Sequence, residues 1–189
     1  TVLKAEVETL EATITGLMYQ LPNVPNELVK AGKSEEDNEI LEEFGTQPNY
    51  NFTPKPHWEL ADEYNLIDFE LGVKITGAGF PVYMGKGAKL QRALINFFLE
   101  EAQNAGYQER QVPHVVNEAS GYGTGQLPDK DGQMYQIPMN SDNGDFYLIP
   151  TAEVPLTNLY RDVMLPDGDF SIKLTGHTPC FRVEAGSYG

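Results

Sequence analysis

Leu3, Val7, Leu10, Ile14, Leu17 and Leu21 open the chain with apolar positions alternately four and three residues apart. That is the a/d spacing of a coiled-coil seam, and it predicts a helix over residues 1–21. Lys4, Glu6, Glu8 and Glu11 fall off the seam. Fewer than three heptads are present, so the helix needs a partner face, either a second helix or the core of its own chain. Pro22 and Pro25 end it, because proline lacks the N–H that a helix uses and clashes with the preceding turn.

Residues 22–57 carry no such period. Pro22, Pro25, Pro48, Pro54 and Pro56 interrupt them, and "KSEEDNEILEEFG" adds a dense acidic run. This predicts a proline-rich acidic linker with a solvated face. Residues 58–189 read as globular. "HWELADEYNLID" predicts a short helix, and "VKITGAGFPVYMG" a strand, a glycine turn and a second strand. Leu90, Leu94, Phe97, Phe98, Ala102 and Ala105 mark one face of a long helix, with Gly106 where a C-terminal cap belongs. Strand-like runs follow: "YQERQVPHVV", "DFYLIP", "FSIKLT" and "PCFRV". One strong helix followed by short strands, without βαβ alternation, predicts an α+β domain on a mainly antiparallel sheet.

Composition changes the picture in a few places. The 189 residues are 40% hydrophobic and 11% aromatic, enough for one sizeable core. A formal charge of −15 argues against a nucleic-acid surface spread over this stretch, though not against a local basic pocket. The one cysteine, Cys180, excludes an internal disulfide framework and suits a reducing cytosol. It neighbours an apolar position on a predicted strand, so a buried thiol is expected. No apolar run is long enough to span a bilayer, and no secretory signal pattern opens the sequence. The chain begins at Thr1 and ends within a glycine turn, which suggests a piece of a longer protein.

His57, His114 and His177 lie far apart, without carboxylate or thiol partners at metal-ligand spacing, so no protein metal site is expected. "GTGQLP" (123–128) has loop glycines but no strand-to-helix context for a phosphate. Two clusters remain. In "LIPTAEVPLTN" an apolar strand reaches Pro150 and then presents Thr151 and Glu153. A carboxylate and a hydroxyl together suit a small ligand with an ammonium group. A Thr151 helix cap fits the same residues equally well. In "PCFRVE" a strand puts Arg182 and Glu184 on one face, and Phe181 and Val183 on the other. Arg182 offers a planar fork for phosphate or carboxylate oxygens. The pair fits a salt bridge on a solvated face as well.

As a set, these residues resemble seryl-tRNA synthetase of the bacterial type, a class II aminoacyl-tRNA synthetase. "LPNVPNELV", "HWEL", "GYQERQVPHVV", "GYGTGQLP", "LIPTAEVPLTN" and "TPCFRVEAGSYG" occur in the family's order along nearly the whole chain. The resemblance implies that the leading heptads end a helical arm that grips tRNA, ahead of an incomplete class II catalytic core. It implies motif 1 in "GYQERQVP", with Pro113 at the dimer interface; "VPH" stands where a double proline is commoner. It implies that Thr151, Ala152 and Glu153 form the loop that binds serine. "FRVE" resembles the first strand of motif 2. There Arg182 would contact the ATP α-phosphate and the serine carboxylate, and Val183 and Glu184 would lie along the ATP site. The end of motif 2 and all of motif 3 are then absent from these residues.

The function implied is part of a serine–tRNA ligase, cytoplasmic and homodimeric. It would activate L-serine with ATP and Mg²⁺ and pass it to tRNA(Ser), with no membrane involved; the stretch by itself is expected to be inactive. Two other functions fit a similar pocket: loading an amino acid onto a carrier protein, and a non-catalytic paralogue that serves as a dimerisation module. The arm heptads argue against the first. The presence of Thr151, Glu153, Arg182 and Glu184 argues against the second.

Overall fold

Why the apolar seam of residues 1–21 forms a helix is local; what the seam packs on is not. A computed structural model describes residues 2–130, 132–139, 144–168 and 170–183. It divides into two units, 1–54 and 55–189. In the first unit, helix α1 (Val2–Met18) has no buried residue. Its seam residues Leu3, Val7, Leu10, Ile14 and Leu17 are all exposed. The helix stops three residues before the predicted end, and Leu21 lies outside it. Pro22 disfavours the helical conformation of the residue before it, and the chain leaves through turn bonds from Gln20 N–H to Leu17 O and Leu21 N–H to Met18 O. A single 3₁₀ turn, Glu35–Asp37, interrupts the exposed residues that follow.

The second unit begins with α2 (His57–Glu63), β1 (Ile67–Asp68) and α3 (Phe69–Ile75). Here the sequence expectation fails, because "VKI" is helical rather than extended. Asp68 supplies the reason: its carboxylate accepts Leu71 N–H at 2.8 Å and starts a helix where β-branched residues alone suggest a strand. β2 (Val82–Tyr83) returns antiparallel to β1.

The long helix α4 (Gly85–Asn104) ends as expected at Gly106. Gly106 has φ +84°, and its N–H bonds to Gln103 O while Tyr107 N–H bonds to Ala102 O. Both bonds of a Schellman cap are made, and the left-handed residue between them is one that glycine adopts without strain. Ala88, Ile95, Leu99 and Ala102 are partly buried, whereas Leu90, Leu94, Phe97 and Phe98 stay exposed. With about 3.6 residues per turn these two sets fall on opposite sides of the helix. The apolar stripe seen in the sequence is, apart from Ala102, the side facing away from the chain's own core.

Beyond α4 lie β3 (Gln108–Glu109), β4 (Val115–Asn117), α5 (Glu118–Gly123), β5 (Gln136–Ile137), β6 (Phe146–Leu148), α6 (Glu153–Asn158) and β7 (Leu174–Thr175). β6 is the centre of a three-stranded antiparallel sheet in the order β4-β6-β5, with Val116 opposite Tyr147 and Ile137 opposite Phe146. β3 and β7 pair in parallel. The described residues thus form an α+β unit whose ladders are antiparallel except for that one pair. Its core gathers Val116, Ile149 and Val154, from β4, the end of β6 and α6, with Tyr147 packed on them. Burial first, and then the Glu118 and Asp145 carboxylates, raise the Tyr147 phenol above its ordinary pKa. No helix among the described residues is long and apolar enough to cross a membrane.

Candidate functional site

The central strand delivers the first cluster. β6 continues to Ile149, whose N–H bonds to His114 O at 3.0 Å and whose side chain is fully buried. Pro150 is buried next, and the chain surfaces at Thr151, Ala152 and Glu153 as it turns into α6. Val154 and Pro155 then face the core. Pro155 fits there because the first turn of a helix has no use for its missing N–H. The Thr151 hydroxyl accepts Glu153 N–H at 3.3 Å, a local turn bond. That bond leaves the hydroxyl hydrogen and a lone pair for something else. Glu153 is exposed, and no described cation lies within ion-pair distance of it.

The second cluster comes back to the same place. Phe181 N–H bonds to Ile149 O at 2.9 Å, and Val183 N–H to Gln133 O at 2.8 Å. Alternate residues of the segment therefore donate, as in a strand. The two partners lie on different stretches of chain, and no continuous ladder forms. Arg182, between them, folds back and donates from Nε to Pro150 O at 3.2 Å. Its terminal guanidinium nitrogens have no partner among the described residues. Arg182 is thus tethered to the residue immediately before Thr151, across 32 positions of sequence. Of the expected site residues, Thr151, Ala152 and Glu153 follow the end of β6 and Arg182 is tied to Pro150 there, while Val183 bonds to Gln133. Glu184 lies outside the described residues. Pro113 is exposed, just after buried Val112 and well before β6.

Sequence reasoning missed the turn behind this segment. Asp129 accepts Gln133 N–H at 3.0 Å and Met134 N–H at 2.8 Å, one on each carboxylate oxygen. It thereby orients the Gln133 carbonyl that holds Val183. The signal was an Asp ahead of a glycine turn in "PDKDGQ", since Asp side chains close such turns on backbone N–H groups. The expectation for Cys180 is also overturned. Its thiol is exposed, with Sγ 3.9 Å from the Thr178 hydroxyl. The alternation of the segment turns its neighbour Phe181 inward and leaves Cys180 outside.

A cleft of about 400 Å³ opens on the other side of α6, lined by Leu156, Tyr160, Leu165 and Ile172 with Glu153 at its rim. It shares Glu153 with the polar cluster, but neither Thr151 nor Arg182 lines it. Among the described residues no group of three or more His, Cys, Asp or Glu side chains is placed to hold a metal ion.

No family model matches the chain. The serine–tRNA ligase of Salinibacter ruber is 52% identical over 183 residues, which make up 97% of this chain and 42% of that relative. The crystal structure of seryl-tRNA synthetase from Pyrococcus horikoshii complexed with ATP superposes with a TM-score of 0.85 at 28% identity, over 99% of this chain and 45% of that one. That of cytoplasmic serine–tRNA ligase from Naegleria fowleri in complex with AMP has a TM-score of 0.79 at 22% identity, over 95% and 42%, and speaks to the fold alone. The chain spans less than half the length of these relatives. Over the stretch that it spans, the chain is similar to the serine–tRNA ligases along nearly its whole length, in line with the resemblance read from its motifs.

Proposed function

We propose that this chain is the portion of a serine–tRNA ligase that carries the serine-binding loop and the first ATP-binding arginine of a class II catalytic core. The observation that carries the reading is the Arg182 Nε bond to Pro150 O, which tethers an anion-binding fork to the residue just before the Thr151–Glu153 loop. A guanidinium tethered to the start of a loop that carries a carboxylate offers partners for the two ends of an amino acid about to be activated.

In the proposed mechanism Glu153 and the Thr151 hydroxyl bind the serine ammonium group. Arg182 draws together the serine carboxylate and the ATP α-phosphate. A carboxylate oxygen attacks the α-phosphorus in line, the bond to pyrophosphate breaks, and seryl-adenylate forms. The terminal ribose hydroxyl of tRNA(Ser) then attacks the carbonyl carbon and AMP leaves. No side chain acts as a nucleophile; the protein positions the reactants and stabilises charge. Arg182 contributes most when negative charge gathers on the equatorial phosphate oxygens. The relative from Pyrococcus was crystallised with ATP, which supports a nucleotide site here. Among the described residues no group of three or more His, Cys, Asp or Glu side chains would hold a metal ion by itself; Mg²⁺ would enter with the ATP phosphates and help neutralise their charge.

Residues 1–21 are proposed as the end of the tRNA-binding arm, 22–57 as linker, and 58–189 as the start of the catalytic domain. The parent is proposed to be cytoplasmic and homodimeric. The outward stripe of α4 supports the second, since a second copy would cover Leu94, Phe97 and Phe98.

The test is serine charging of tRNA by the enzyme that carries this stretch, with Arg182→Ala beside it. Charging should fall by about a hundredfold or more in the variant. Serine-dependent ATP–pyrophosphate exchange without charging would move the acceptor to a carrier protein. Absence of both activities in the unsubstituted enzyme would sink the ligase reading.

A further inference from the structure

We infer that Arg161, acting through Asn158 and Ser120, is a positioning residue for serine: it fixes the direction of α6, and with it Glu153, against α5. The inference rests on the serine role proposed above for Thr151–Glu153. Helix α6 has six residues, too few to be stable or to hold an orientation by itself. Val154 anchors its first turn in the core, fully buried. The far end is held by a set of polar bonds to α5. Asn158, its last residue, donates from Nδ2 to Ser120 O at 2.9 Å and to Val154 O at 2.8 Å. Arg161 donates from Nη1 to Ser120 Oγ and to Asn158 Oδ1, each at 2.9 Å. The Ser120 hydroxyl in turn donates a hydrogen bond to Asn117 Oδ1 at 2.9 Å, and the same oxygen caps α5 by accepting Ser120 N–H at 3.0 Å.

Ser120 is 9% exposed, so these bonds are largely shielded from water and hold their geometry. The two helices also meet without room for a side chain at residue 123. A Cβ on Gly123 would lie 2.5 Å from Asn158 Oδ1 and 3.3 Å from Arg161 Cδ. With both ends held, rotation of α6 about its own axis is blocked. That rotation is the motion that would swing Glu153, in its first turn, away from the Arg182 fork. Arg161 itself is one-third exposed and has Asp162 Oδ2 3.6 Å from its Nε. It lies beyond α6 and off the core, so its bonds bear on direction more than on burial.

The experiment is serine-dependent ATP–pyrophosphate exchange by the enzyme carrying this stretch, with KM for serine and for ATP measured separately and melting followed in parallel. Arg161→Ala should raise the serine KM about tenfold while the ATP KM stays within about twofold. The melting temperature should barely move. Arg161→Lys should recover most of the serine KM, because an ammonium can still reach Ser120 Oγ. If Arg161→Ala fails to fold, Ser120→Ala, which removes only the hydroxyl link, carries the same expectation. Equal rises in both KM values with a lowered melting temperature would overturn the inference, as would an unchanged serine KM. Glu153→Ala separates the two levels of the argument. If it leaves the serine KM unchanged, the serine role of the loop falls and the positioning role with it. If it raises the serine KM while Arg161→Ala does not, the positioning role alone is overturned.

Discussion

Asp129 sits outside the group of residues proposed to touch substrate, yet it sets where one of them stands. Its two oxygens hold Gln133 and Met134, and Gln133 O holds Val183 next to Arg182. Replacing it by alanine leaves two backbone N–H groups without their acceptor. Asp129→Ala should therefore cost about 1–3 kcal/mol, read as a lowered melting temperature, and should raise the KM for ATP. Asp129→Asn, which keeps one acceptor oxygen, should fall between. An ATP KM that ignores both changes would mean that the turn does not steer Arg182. At this scale the sequence showed residue types. Glu153 and Arg182 were legible as a carboxylate and a planar cation at strand ends. The return of Arg182 to Pro150, just before Thr151, was not, because it runs through the Pro150 carbonyl, and main-chain groups are the same in every sequence.

Among the elements, α4 shows what periodicity can and cannot say. Its span and its Gly106 cap followed from local chemistry. The apolar stripe noticed in the sequence points outward, and the packed side uses Ala88, Ile95 and Leu99. Two apolar sides give a helix no preference, by pattern alone, for which one its own chain will cover. Phe97 is 53% exposed and Ile149 is fully buried, so their substitutions should have opposite consequences. Phe97→Asp should leave the melting temperature of the monomer nearly unchanged and shift the enzyme from dimer to monomer in sedimentation. A persistent dimer would remove α4 from the proposed interface. Ile149→Ala should destabilise the fold by about 2–5 kcal/mol, measured by denaturant titration, and should weaken the site as well because it moves Pro150. The α3 segment shows the converse failure: a single carboxylate at Asp68 outweighs the strand tendency of "VKI".

For the whole molecule, this chain covers 42% of the length of the Salinibacter relative, and its polar site offers one tethered arginine among the described residues. The 189 residues alone are therefore expected to give no serine-dependent pyrophosphate exchange, whereas the enzyme carrying them should. Exchange by the isolated chain would show that these residues suffice for adenylation. Legible along the chain were the likeness to serine–tRNA ligases, through long strings such as "PTAEVPLTN" and "GTGQLP", the long helix before Gly106 with its glycine end, the proline stop after α1, and the chemistry on offer at Thr151, Glu153 and Arg182. These are local properties, set by each residue and its near neighbours. Only the tertiary structure decided that Arg182 returns to Pro150, that Cys180 faces out, that α4 presents Phe97 outward, and that Arg161 ties α6 to α5. Each of those depends on contacts between residues far apart in the chain, which are selected by the packing of the whole sheet and not by spacing along it.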